Sequence, residues 1–308
     1  AGFGVKNSLE YSSDCVYGGV YSYDYRIQGD WSPQDKDRLE QSVSQVQWVS
    51  EKNGIVKKGE KRETAACTII GEGNYLSLTD AQGEKVILPE EGGVISQKTA
   101  ELLDVKVGDG VQVRILGSSQ KFEIKISNIV TVPAPQGIFL SQEAWEKTGN
   151  VFDGDSALTG SLNPKEWDSW QIISLKEQQS KFAEFSRALT IIFVMLIGAS
   201  LLLGSVILYN LGMLSFVERY REYATMKVLG FYAGEIRGMG IRDWFLTSIP
   251  GWAAGSVLGF WFLRFITGLV SMKSFVFFPK LDLKWYLLIS LISLIGSLGI
   301  NLSVSLRA

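Results

Sequence analysis

Three apolar runs, Ala188–Leu214, Trp244–Phe265 and Trp285–Leu306, dominate the C-terminal part of this chain. Each is long enough to cross the hydrocarbon of a bilayer, which takes roughly 20 residues of helix. A soluble globule has no use for three such runs, so they are expected to be membrane helices. Residues 1–186 differ in kind, with scattered charge, strand-like alternation and turns. The expected architecture is an α+β domain over 1–164, a polar stalk helix over 165–187, and an α-helical transmembrane bundle over 188–308. The chain opens Ala1-Gly2-Phe3-Gly4 with neither an initiator Met nor a signal peptide. The expectation is a fragment, with a further membrane helix ending just before Ala1.

Within the polar domain, Gly19–Gln28 alternates like a strand, and Ser32-Pro33 marks a helix start running to about Val43. Val46–Lys58 and Lys61–Ile70 read as two strands around a turn at Lys58-Gly59-Glu60. Shorter strands are expected at Tyr75–Thr79, Val86–Leu88, Gly93–Ile95, Gly110–Leu116, Lys121–Val132 and Ile138–Leu140. Gly117-Ser118-Ser119 reads as a hairpin turn, and Ser96–Leu103 and Ser141–Thr148 as short helices. From Asn163 to Arg187, spacings of three and four (Trp167/Trp170, Phe182/Phe185) predict a polar helix continuing into the first membrane run.

Several function classes are disfavoured. The chain has 30 basic and 32 acidic residues and a net charge of −2. No basic stripe is visible along it to suggest nucleic acid. It has no histidine, the commonest metal ligand and general base. Cys15 and Cys67 cannot build a four-ligand zinc site. They can pair outside the cytoplasm, or stand as two small apolar side chains; both readings stay open. Asp153-Gly154-Asp155 lacks the full spacing of an EF-hand loop and reads as a polar turn. Tyr17, Tyr21, Tyr23, Tyr25 and Trp31 read as core aromatics, with a client-binding surface as the other possibility.

In the second run, Gly251, Gly255 and Gly259 form two small-xxx-small steps, which let helix backbones approach closely in lipid. Trp244, Trp285 and Tyr286 stand at run ends, where aromatic rings prefer the membrane interface. No run carries an ionisable residue at its centre, so no proton or ion path is indicated. The joint Ser215–Asp243 carries Arg219, Arg221, Lys227, Arg237 and Arg242, and the joint Thr267–Lys284 carries Lys273, Lys280 and Lys284. The positive excess places the first joint inside the cell and the polar domain outside. Phe275–Phe278 then belong to an outer loop.

The sharpest local pattern is Glu218-Arg219-Tyr220-Arg221-Glu222-Tyr223-Ala224-Thr225-Met226-Lys227-Val228-Leu229-Gly230. Leu214, Val217, Tyr220/Arg221, Ala224 and Val228 fall at helical spacing, and Gly230 suits a C-cap. Glu235–Met239 could start another short helix. By itself the pattern equally fits a juxtamembrane amphipathic helix against lipid headgroups.

The run resembles the Arg-x-Arg-Glu-x-Ala-x-x-(Arg/Lys)-x-x-Gly signature of FtsX-like (MacB-type) ABC transporter permeases, through Arg219, Arg221, Glu222, Ala224, Lys227 and Gly230. Gly93–Val113 is similar to a segment of that family's outer domain. The order of domain, helix, charged joint, helix, loop and helix matches as well. The opening residues resemble the second module of large tandem Gram-positive members.

The resemblance implies that residues 215–243, with Glu218 among them, are a coupling segment docking on an ABC ATP-binding subunit that works as a dimer. It implies further partners: the other half of the permease, membrane lipid, and an outer protein or peptide client. The chain shows no P-loop, so ATP and Mg are expected in the partner and none in this chain. The implied role is mechanotransmission in the plasma membrane, and this chain would not itself be an enzyme. The competing class is a membrane-anchored sensor or adhesion protein without an ATPase.

Overall fold

The computed structural model describes residues 2–118, 120–167, 170–270, 276–278 and 282–306. Expectations placed on Ser119, Lys273, Phe275 and Lys280, and on the side chains of Arg219, Arg237, Trp244 and Trp285, lie outside the described residues. Two compact units emerge: Leu9–Phe185 with Gly268–Phe278, and Ala1–Ser8 with Ser186–Thr267 and Pro279–Ala308.

In the first unit, nine strands form one mixed sheet among the described residues. Their chain order is β1 (Tyr25–Gln28), β2 (Val46–Lys58), β3 (Lys61–Ile70), β6 (Gly93–Ser96), β7 (Gly110–Ile115), β8 (Lys121–Val130), β9 (Gly137–Ser141), β10 (Ser156–Thr159) and β11 (Gln171–Ser174). β4 (Leu78–Thr79) and β5 (Lys85–Val86) pair separately. The spatial order is β11-β1-β10-β2-β3-β9-β6-β8-β7, and β7 pairs back onto β2. β2 is long enough to serve two neighbourhoods. Its first residues, Val46–Val49, pair with β10, and Gly54–Lys57 pair with β7. The strands from β2 round to β7 therefore close into a barrel, with β10, β1 and β11 as an open wing.

Alternation along the strands sends one side chain in two inward. Val56, Ile69, Val113, Ile124, Ile138 and Trp145 pack together inside the barrel. Gly137 has φ +137°, and a Cβ there would stand 2.0 Å from the Ala66 carbonyl oxygen. Only glycine lets β9 lie parallel to β3 at that point. On the wing, Ile27, Leu39, Ala157 and Trp167 form a second core beneath helix α2 (Pro33–Ser42).

The serine caps behave as their sequence positions suggest. Ser32 Oγ accepts from the Asp35 amide, and Ser141 Oγ accepts from the Ala144 amide at the start of α4 (Gln142–Lys147). Ser96 stands at the N-cap of α3 (Gln97–Leu103), but its hydroxyl accepts from the Gly137 amide instead.

Three expectations are corrected and one open reading is resolved. First, residues Gly2–Cys15 are helical (α1), followed by a π-helical turn, Val16–Val20, so the strand begins only at Tyr25. The buried stripe Val5, Ser8, Leu9, Ser12 and Val16 has helical spacing, but serine and glycine hide it from propensity. Second, the stalk helix does not begin at 165. A short 3₁₀ turn, Pro164–Trp167, is followed by β11, and helix α5 starts at Leu175. The Trp167/Trp170 spacing belongs to a ring cluster instead: Trp170 stacks on Trp31 at 4.0 Å. Third, the two readings left open for Cys15 and Cys67 resolve to the unpaired one: both thiols are free. Cys67 faces the barrel core, where burial pushes its thiol up to about 12. Fourth, the coupling run and Glu235–Met239 are not separate short helices. They are the end of α5 (Leu175–Val228) and the start of α6 (Ala233–Val270).

β1 and β11 are adjacent and antiparallel, with Tyr25 opposite Ser174. The Leu175 amide, the first of α5, donates to the Asp24 carbonyl at 2.9 Å. Asp153 and Asp155 are structural: Asp153 pairs with Lys36, and Asp155 accepts from the Ser50 hydroxyl.

Among the described residues, two helices carry spans long and apolar enough to cross a membrane, Leu175–Leu214 and Phe245–Leu269. The third run forms α7 (Leu283–Leu306), whose apolar stretch there is the shorter Tyr286–Gly299.

Candidate functional site

The coupling run occupies the last turns of α5, and a short corner, residues 229–232, joins it to α6. Gly230 has φ +91°, a left-handed conformation that suits glycine. Its amide donates to Lys227 O at 3.2 Å, and the Phe231 amide donates to Met226 O at 3.1 Å. These two bonds make a Schellman cap, which satisfies carbonyls left over at the helix end. On the far side, the Glu235 carboxylate accepts from the Tyr232 amide at 2.9 Å, half of a capping box that starts α6. Both ends of the corner are thereby fixed by local chemistry.

Along α5, Glu218, Arg221, Glu222 and Thr225 stand at positions i, i+3, i+4 and i+7, so they share a stripe. Val217, Ala224 and Val228 form a neighbouring stripe. All seven are exposed. Glu218, Arg221, Glu222 and Lys227 make no ion pair with any described residue. Lys227 lies in the last turn, where a cation complements the helix dipole. At the corner, Val228 is 88% exposed, Leu229 76% and Tyr232 79%. Mixed unpaired charge beside bare apolar surface suits a partner's groove, with charge setting register.

The predicted coupling residues are thus gathered at one helix end, with the Arg219 side chain left undescribed. Gly251, Gly255 and Gly259 lie elsewhere, on one face of α6. They line a groove of about 560 Å³ with Ser290, Ser293 and Ser297 of α7. Nothing stands within 4 Å of a Cβ built on any of the three glycines. The two helices meet through Tyr286, whose hydroxyl donates to Ser256 Oγ at 3.0 Å, and through the Ser248 and Ser297 hydroxyls, 3.4 Å apart. The serine face of α7 went unread in the sequence, although its spacing of three and four was there to find. Among the described residues, no cluster of three or more Cys, Asp or Glu could hold a metal.

Residues 194–308 match the family model described as FtsX-like permease C-terminal. No curated protein matches the chain. Among solved structures, the chain is similar to the periplasmic region of MacB from Actinobacillus actinomycetemcomitans. Identity is 13%, covering 54% of this chain and 95% of that one, with a TM-score of 0.34. It is also similar to the extracellular domain of the noncanonic ABC-type transporter YknZ from Gram-positive bacteria. There identity is 14%, covering 48% of this chain and 88% of that one, with a TM-score of 0.33.

Proposed function

We propose, from the FtsX-like permease C-terminal region that residues 194–308 form, that this chain is the transmembrane subunit of an ABC transporter. The match over those residues is the observation that carries the reading. Residues 1–164 are its outer domain, and the end of α5 is the handle on which an ATP-binding subunit acts.

The mechanism follows from the helix. α5 runs unbroken from Leu175 to Val228, about 80 Å at 1.5 Å per residue. A displacement applied near Arg221 is carried along it because every turn is tied to the next. At Ser174–Leu175 the helix passes into β11 without a linker, so the motion reaches the strand ladder directly. ATP and Mg belong to the partner. The client on the outer side is a protein or peptide. The exposed apolar residues of α5, such as Met195 at 70% and Leu202 at 71%, need lipid or other membrane helices to cover them. The other half of the permease and the bilayer supply that cover.

The test is reversal of charge at the handle. The full-length protein carrying Arg221→Glu and Glu222→Arg, co-expressed with its ATP-binding subunit, is expected to lose most co-purification. Transport-coupled ATPase activity is expected to drop about tenfold or more. Unchanged assembly and unchanged activity would refute the role. Recovery of no ATP-binding subunit with the unmodified protein would favour a membrane-anchored sensor instead.

A further inference from the structure

Four barrel strands lie side by side in the order β8, β7, β2 and β3, and their register sets like charges directly opposite one another. Arg114 faces Lys121, Lys57 faces Arg62, and Lys58 faces Lys61. Directly opposed like charges weaken an antiparallel pair. At one pair the fold neutralises them: Lys58 bonds Asp109 at 2.5 Å, and Lys61 reaches Asp104 at 3.8 Å. The other two pairs receive no such relief. Lys57, Arg62, Arg114 and Lys121 are all exposed and make no ion pair with any described residue.

The pleat explains why these four point the same way. Val56, Val113 and Ile124 turn into the barrel core, so the alternate positions face out. Ile55 stands opposite Arg114, which puts Lys57 one diagonal step from it. The outcome is a single row, Lys121–Arg114–Lys57–Arg62, across four adjacent strands. At ~4.8 Å per strand it spans roughly 14 Å. No stretch of the sequence displays this row, because it is assembled from four separated segments.

We propose that this row is a docking track for a linear anionic polymer whose charge lies on repeating phosphodiesters. Charge complementarity carries the assignment. The cations follow one another at the spacing of strands and diagonals, of the same order as the phosphate repeat of an extended chain. The row is one residue wide and is bordered by Glu123 on β8, which suits a thread better than a membrane plane. Its uncharged neighbours, Ile55, Thr64 and Gln112, include no aromatic ring on which a base could stack, which disfavours a nucleic acid.

The full-length protein, held in nanodiscs of neutral phosphatidylcholine, is titrated with fluorescently labelled poly(glycerol phosphate) at several salt concentrations. Fluorescence anisotropy reports binding. The unmodified protein is expected to bind with a steep salt dependence. Lys57→Gln with Arg114→Gln is expected to reduce the slope of log affinity against log salt by about 2. Its melting temperature is expected to hold or rise as the opposed charges are relieved, and the charge-keeping variant Lys57→Arg with Arg114→Lys should retain binding. The proposal is overturned if the polymer does not bind, or if the neutralised variant binds it equally well. It is also overturned if a single-stranded oligonucleotide binds more tightly, or if phosphatidylglycerol vesicles bind and the polymer does not.

Discussion

Asp109 illustrates how much one side chain settles locally. Its carboxylate accepts from Lys58 Nζ at 2.5 Å and from the Lys106 amide at 2.7 Å, closing the turn that leads into β7. Lys58 first, and then that amide, hold its carboxyl below the ordinary carboxylate value. A lowered folded-state value means the stabilisation is complete above the unfolded value and fades as pH falls through the folded one. The window therefore lies at and below about pH 4. Asp109→Asn is expected to flatten the acid limb of a stability profile there, measured by thermal melts of the full-length protein at stepped pH. An acid limb of unchanged steepness would count against it. In the sequence, Val105–Asp109 (VKVGD) reads as a turn leading into the strand at Gly110, but its partner Lys58 is not visible there, since that pairing depends on β2 lying beside β7. The two cysteines were undecidable for the same reason: their separation is a property of the fold and not of their spacing.

Elements announced themselves where their signals are local. The strands Val46–Lys58 and Lys61–Ile70 were read with the ends they have, because alternation and a charged turn bracket them. The serine-started helices were read for the same reason. β10 and β11 escaped, being four residues each, and β11 also follows Trp167 and Trp170, whose spacing mimics a helix. The corner at Gly230 was legible as a glycine cap. Gly230→Val would force a β-branched residue into a left-handed conformation and break the Schellman pair, at a local cost of about 1–2 kcal/mol. Hydrogen exchange at the amides of residue 230 and Phe231, which donate to Lys227 O and Met226 O, is expected to quicken while the barrel strands stay protected. Unchanged protection at those two amides would mean the cap is not what holds the corner.

At the scale of the molecule, the α+β domain and the apolar helices were legible from composition, but the closing of the barrel was not. Closure depends on β2 meeting β7 far along the chain, and periodicity carries no information about non-local pairing. The glycine face of α6 belongs to this scale because it is open. Gly255→Leu has room within the chain, so its own stability should shift by no more than about 0.5 kcal/mol. Assembly with other membrane helices should weaken by about 1–2 kcal/mol, roughly tenfold. Cross-linking yield in membranes reads that loss, and an undiminished yield would assign the groove another role. The ladder of β1 and β11 has a consequence of its own. Because Tyr25 and Ser174 are neighbours, everything between them is, topologically, one long loop with a clasped neck. A change of length between the two strands leaves the four residue pairs of the clasp in place, and the added closure entropy grows only slowly with loop length.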